Sequence, residues 1–345
     1  MSPVLMQIGE WPVPAYGFFF ALSLIAAWVV IVRLGVQDRL PADTLGFAYV
    51  LSVVTGIIAA RATWVLQHPD ALAPASIWAL PAGDLAPFAG VVVGTLVSAL
   101  YLASRKIPPT VAWDVAAPAL AVATILERIG ALMAGTGAGQ YAPNLTWAIR
   151  FPIDSPVFHH HRTQLEELLP PGATESLPVH PTQLYAMVLA AIGLVLCLRW
   201  RARREFSGQV ALQYAVYALV ARVFVEEWFR ADAAQAVFGP LSGGQTAALV
   251  LIAALVAILR ARRMRAAARE DGLRLWEGGR WSPEGMRPAA RGSTRAAAVA
   301  DRAAGQDVAA ASGKAKGSAK TKGSAKTKGT GPVKKGPGRK GRKRK

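Results

Sequence analysis

The sequence predicts an all-α integral membrane protein with seven transmembrane helices, an outside N-terminus, a cytoplasmic C-terminus and a disordered basic tail. Three observations carry that expectation. The chain of 345 residues is 53% hydrophobic yet carries a formal charge of +18, and these two properties separate along it. Residues 260–345 hold 25 Lys and Arg against 6 Asp and Glu, leaving a nearly neutral body with 14 against 15. Within that body, apolar runs recur at the length needed to span a hydrocarbon core about 30 Å thick. Finally, the basic residues between the runs fall in alternate connections.

The runs lie at approximately 16–34, 44–66, 86–103, 112–134, 182–200, 208–227 and 241–260. Connections after the first, third and fifth hold Arg33 and Arg39, then Arg105 and Lys106, then Arg199, Arg201, Arg203 and Arg204. The connection after the second holds no Lys or Arg, and the long one after the fourth holds only Arg150 and Arg162. Positive residues stay on the cytoplasmic side, so an odd number of spans leaves the N-terminus outside and the tail inside. The first run begins near Tyr16 with neither a basic leader nor a small-residue cleavage site, and reads as a retained helix. Cys197, the single cysteine, lies inside the fifth run and has no intramolecular disulfide partner.

Residues 1–265 are therefore expected to form the membrane domain and residues 266–345 the tail. The tail contains KGSAKTKGSAKTKG and ends GRKGRKRK, a composition that cannot bury enough apolar surface to offset chain entropy. Its nearest partner would be anionic membrane lipid, which attracts each Lys or Arg by about 1 kcal/mol. Nucleic acid is the second candidate, because the composition is like that of histone tails. The longest outside connection, residues 135–181, is rich in Gly and Pro and carries His159, His160 and His161. No carboxylate or cysteine is spaced to complete a metal site there, so that run reads as part of a solvated loop and neither metal nor cofactor is expected.

Ionisable residues inside the runs carry the chemistry. Each costs about 2.5–3.5 kcal/mol at mid-bilayer on insertion scales, so it should face a polar cavity or another charge. They are Arg61 in the second run, Glu127 and Arg128 in the fourth, and Arg222, Glu226 and Glu227 in the sixth, with Arg230 following. On one continuous helix Arg222, Glu226 and Arg230 would form a stripe at i, i+4 and i+8. Such a stripe reads either as a ladder of compensating charges or as the wall of a site. Arginines outnumber carboxylates in this set, and the guanidinium fork suits phosphate. An arginine-lined pocket at membrane depth points to an anionic phospholipid head group.

The same residues carry a family resemblance. RVFVEEWFRAD at 222–232 and LSGGQ at 241–245 resemble motifs of prolipoprotein diacylglyceryl transferases. So do HPTQLY at 180–185, DVAAP at 114–118, ERIGALMAGTGAG at 127–139, YGFFF at 16–20 and IAARATWVL at 58–66, in the family's order. The resemblance implies transfer of the diacylglyceryl group of phosphatidylglycerol onto the lipobox cysteine of prolipoprotein precursors, with release of glycerol phosphate. Carried over residue by residue, it implies that Arg128 and Arg222 hold the phosphate and that Glu226 orients an arginine or accepts a proton. Tyr16, Arg61, Gly139, His180, Gln183, Tyr185 and Arg230 would line the phospholipid pocket, Gly139 by permitting close backbone approach.

The chain departs from the family pattern at several polar positions. A His proposed as the family's catalytic base is Ala89 here, two Asn are Ala131 and Ala134, a Glu is Thr136, and a Gly is Glu127, beside Arg128. His180 is one stand-in for the missing base. An alternative expectation is a member that binds anionic phospholipid without transferring it, and a third is an unrelated seven-helix transporter. A retinal protein is excluded, since the only body lysine, Lys106, lies in a connection.

Overall fold

The computed structural model describes residues 4–9, 11–68, 86–223, 227–230, 236–238, 241–268, 275–277 and 280–282. Glu226 and most of the expected tail lie outside the described residues. The described residues belong to one compact unit, Met1–Pro288. Within the stretch expected as tail, Leu275–Glu277 and Arg280–Ser282 pair as a short antiparallel ladder.

Each apolar run contains a helix. They are α1 (Ala15–Gln37), α2 (Ala42–Gln67), α3 (Pro87–Ser104), α4 (Pro109–Ala134), α6 (Thr182–Ala202), α7 (Gln209–Ala221) and α8 (Gly243–Ala267), while α5 (Pro156–Gln164) belongs to the long connection. Among the described residues, α1, α2, α4, α6 and α8 are long and apolar enough to cross a membrane, whereas α3 and α7 are shorter apolar helices. In the sixth run α7 has 13 residues, Arg222 and Val223 continue it as helical turns, and Glu227–Phe229 is again helical beyond the undescribed residues 224–226.

Proline sets several helix starts. Pro14, Pro41, Pro108 and Pro181 occupy N-cap positions, and α3 and α4 have Pro in the first turn. There the fixed φ is already helical and the missing N–H would have had no helical partner. The N-terminus of α7 is capped from another helix. Asp114 of α4 is buried and accepts backbone hydrogen bonds from Gly208 (2.8 Å) and Ala211 (2.9 Å). A carboxylate at a helix N-terminus meets unpaired N–H groups and the positive end of the dipole, which explains how an apolar helix retains an aspartate.

α1 packs most extensively against α4, and α2 against α3. The second pair meets through small residues spaced by four, Ser52 and Gly56 on one helix and Gly90 and Gly94 on the other. A Cβ at Gly90 would lie 2.7 Å from the Gly56 carbonyl oxygen, and one at Gly94 2.5 Å from that of Ser52. Backbones this close gain dispersion contact where lipid supplies no hydrophobic drive. The outward faces carry exposed Phe47, Val50, Val54 and Ile58 on α2 and Val188, Ile192 and Val195 on α6. Stripes of this kind suit acyl chains as solvent, and the protein is a multi-pass membrane protein.

The connections sort to two ends. Those after α1, α3 and α6 meet at one end, where Arg201 and Arg204 hold Asp38 and Gly208 approaches Thr110. At the other end, the long connection after α4 meets residues 229 and 230. It is not a loose loop. Tyr141 and Ile149 each bridge to Val179, Pro152 bridges to Glu175, and Ala138, Phe151, Val157 and Val179 form a small buried core. The expectation of a solvated histidine run is corrected at one position: His159 and His160 are exposed, but His161 is buried and its Nδ1 accepts the Leu177 N–H at 3.2 Å. Packing against the small core, not the local sequence, made that choice.

Candidate functional site

Three segments that are distant in sequence meet at Gly139. The Gly139 N–H donates to the His180 carbonyl (3.0 Å), the His180 N–H to the Gln140 carbonyl (3.0 Å), and the Gln140 N–H to the Phe229 carbonyl (2.8 Å). A Cβ at Gly139 would lie 2.5 Å from both the His180 Cβ and the Phe229 oxygen, so only glycine lets these backbones approach. The knot also holds the end of the sixth run: Arg230, directly after the helical turn Glu227–Phe229, forms an isolated β-bridge with Gly139. The expected stripe passes through Glu226, which lies outside the described residues.

Beside the knot His180, Thr182, Gln183 and Tyr185 of HPTQLY all make side-chain contacts. Thr182 Oγ1 donates to the Gly137 carbonyl (2.7 Å), and the fully buried Gln183 donates through Nε2 to the Thr136 carbonyl (2.8 Å). Together they pin the turn that follows α4. The Tyr185 hydroxyl accepts from Trp147 Nε1 (2.8 Å) and lies 3.3 Å from His180 Nδ1, while the Phe229 ring packs on both His180 and Tyr185. His180 is thus part of an aromatic cluster.

The pinned turn brings Gly137 to Arg128. Arg128 Nη1 is 3.9 Å from where a Gly137 Cβ would sit. Arg128 Nε is 3.1 Å from a Glu127 carboxylate oxygen but makes no hydrogen bond, so their contact is an ion pair without donor alignment. Tyr16, at the start of α1, lies near both Glu127 and Arg128. The 136–139 turn thus has Arg128 beside Gly137, Gln183 on the Thr136 carbonyl, and His180 and Arg230 against Gly139.

Two further sequence candidates sit on α2 and at the end of α7. Arg61 is buried on α2 with its guanidinium over the Trp64 ring, 4.7 Å from the centroid. Arg222 follows the last residue of α7 and is exposed, and Glu226 is outside the described residues. Ala131 and Ala134 are buried, so the positions where the family pattern has amides now contribute methyl groups. Sequence reasoning missed Thr182 and Trp147, although both lie in stretches it had singled out. It also saw Glu127 only as a counter-charge for Arg128 and not as a neighbour of Tyr16.

Comparison with known proteins decides the family. The family described as prolipoprotein diacylglyceryl transferase matches residues 3–261. The chain belongs to that family. The matched region takes in α1 to α7 and most of α8, and leaves the basic tail outside. Among phosphatidylglycerol–prolipoprotein diacylglyceryl transferases, one from Lactobacillus delbrueckii subsp. bulgaricus is 26% identical over 279 residues, covering 77% of this chain and 92% of its own length. One from Lysinibacillus sphaericus is 27% identical, covering 76% and 93%. One from Geobacter sulfurreducens is 28% identical, covering 76% and 96%. Relative to the prolipoprotein diacylglyceryl transferase pattern, this member keeps the motif arginines and the turn that carries Gly139.

Proposed function

We propose that the chain transfers the diacylglyceryl group of phosphatidylglycerol to the lipobox cysteine thiol of prolipoproteins, in the bacterial cytoplasmic (inner) membrane. All seven apolar helices would traverse the bilayer, with the N-terminus outside and the tail in the cytoplasm. The observation that carries this reading is the family match over residues 3–261, with Arg128 held beside the pinned turn that leads to Gly139.

The chemistry needs a phosphate leaving group stabilised and a thiol made nucleophilic. Arg128 and Arg222 would hold the phosphodiester, where fixed cations in a water-poor site stabilise the charge that gathers as the C–O bond breaks. Gly139 would let the turn approach the head group, and Tyr16, Arg61, His180, Gln183, Tyr185 and Arg230 would line the pocket. Glu226 would orient one arginine. The tail would rest on anionic lipid at the inner face, in preference to nucleic acid.

Complementation tests the reading. In a strain depleted of its own transferase, expression of this chain should clear unprocessed prolipoprotein. Accumulation of the precursor despite membrane expression would refute it. A chain ending at residue 265 should insert and complement equally well.

A further inference from the structure

The departure that replaces a family glycine by Glu127 changes the chemistry available at this position. Glu127 is partly exposed, sits one residue from Arg128 and lies near the Tyr16 hydroxyl. Tyr16 is brought there by the closest approach of α1 and α4, at Gly130, where a Cβ would lie 2.8 Å from Phe19 Cβ and 3.3 Å from Tyr16 Cα. A carboxylate present only to neutralise Arg128 would be expected to take up its hydrogen bonds. Here Arg128 Nε is not aimed at Glu127, and Nη1 extends toward the 136–139 turn. The carboxylate therefore meets Arg128 without an aligned hydrogen bond from Nε, with the Tyr16 hydroxyl nearby, and its lone pairs can take a substrate proton.

We propose that Glu127 is the proton acceptor for the substrate thiol in this chain, in place of the histidine whose position is Ala89, and that Tyr16 positions it. The proposal rests on the transferase reading above. The thiol S–H proton passes to a Glu127 oxygen while sulfur attacks the glyceryl CH2 carbon bearing the phosphate oxygen. The S–C bond forms, the C–O bond breaks, and its electron pair leaves on the phosphate oxygen of glycerol phosphate, whose added charge Arg128 faces. The proton on Glu127 then passes to water, which restores the carboxylate.

The test uses the full chain in detergent with phosphatidylglycerol and a fluorescent lipobox peptide. A positioned base contributes about 10²–10⁴ in rate, so Glu127→Gln should lower kcat about 100-fold or more while KM for phosphatidylglycerol shifts less than about threefold. Glu127→Ala should be slow likewise and be rescued about tenfold by added formate, which fills the vacated space with a carboxylate and which a purely structural role would not predict. Tyr16→Phe should fall between these and the native chain. Native turnover with a Gln variant as fast as or faster than the native chain would overturn the base and favour simple neutralisation of Arg128. A slow Ala variant that formate does not rescue would also overturn it. A native chain that fails to modify the peptide would instead overturn the transferase reading, and the base with it.

Discussion

The molecule carries two clusters of charge at opposite ends of its helices, and they are built differently. At one end Asp38, where α1 ends, receives both Arg201 and Arg204. Arg201 donates to the two carboxylate oxygens at 2.7 and 2.8 Å and to the Leu34 carbonyl at 2.9 Å, and Arg204 donates to the same two oxygens at 2.8 and 2.6 Å. The side chains are 7, 11 and 10% exposed. At the other end Glu127 and Arg128 are 23 and 20% exposed, touch at 3.1 Å and do not align. The first cluster is closed, its fork-like donors matched to one carboxylate and to a helix C-terminus. The second keeps donors and acceptors aimed elsewhere. Charge alone does not mark a site; charge whose hydrogen-bonding capacity is left for something else does.

The sharpest way to break this contrast is Asp38→Ala, which leaves two buried guanidiniums without their carboxylate. It should cost about 3–5 kcal/mol, read as a lower denaturant midpoint in detergent, while lipid binding by the folded fraction stays near native. Arg128→Ala should do the opposite, lowering transfer about 10²–10³-fold with a midpoint close to native. If Arg128→Ala destabilises the fold as much as Asp38→Ala, the two clusters are alike and the distinction fails. Gly139→Ala forces a methyl against the Phe229 carbonyl and His180, and should cost about 1–3 kcal/mol as overpacking, together with loss of transfer as the knot shifts.

The smallest expected effect is a pH dependence near the open end. Burial first, and the charge of neighbouring His160 second, push the His161 imidazole below its ordinary value of 6.5. The folded state thus favours the neutral ring, whose Nδ1 accepts from Leu177. That stabilisation is complete above about 6.5 and is lost as the pH falls toward the depressed folded value. Denaturant midpoints should therefore drop as the pH falls below about 6.5, and His161→Gln, which cannot titrate, should flatten that drop. An unchanged slope in the variant would show that the acid sensitivity lies elsewhere.

Much of the fold was legible in the sequence, because a lipid environment enforces a strong periodic signal. All seven helices fall within or close to the apolar runs, and the prolines at helix starts are visible without coordinates. Where the sixth run meets the long connection was not legible, since only the structure pairs Phe229 and Arg230 with Gln140 and Gly139. The long connection was equally opaque, since its order depends on contacts such as Phe151 N–H to Ser176 Oγ at 2.9 Å, between residues 25 apart. Of the candidate site, the arginines and the HPTQLY stretch were readable as residue types, but not which of them meet. Arg61, for one, stacks over Trp64 of its own helix, a contact its residue type does not announce.

What the sequence by itself determined was the solvent and the order of the elements: hydrophobic runs of spanning length, alternating basic connections and a polar tail are properties of composition. What only the tertiary structure decided was which charges are satisfied and which are held open. Asp38 and Glu127 are both carboxylates beside arginines in the primary or tertiary neighbourhood, and nothing local separates them. Asp38 is closed because Arg201 of α6 and Arg204 just beyond it both reach the end of α1, whereas Glu127 meets a single arginine whose Nε is not aligned with it. That difference is made by helix packing, since hydrogen-bond geometry depends on where distant segments are brought to within about 3 Å of each other.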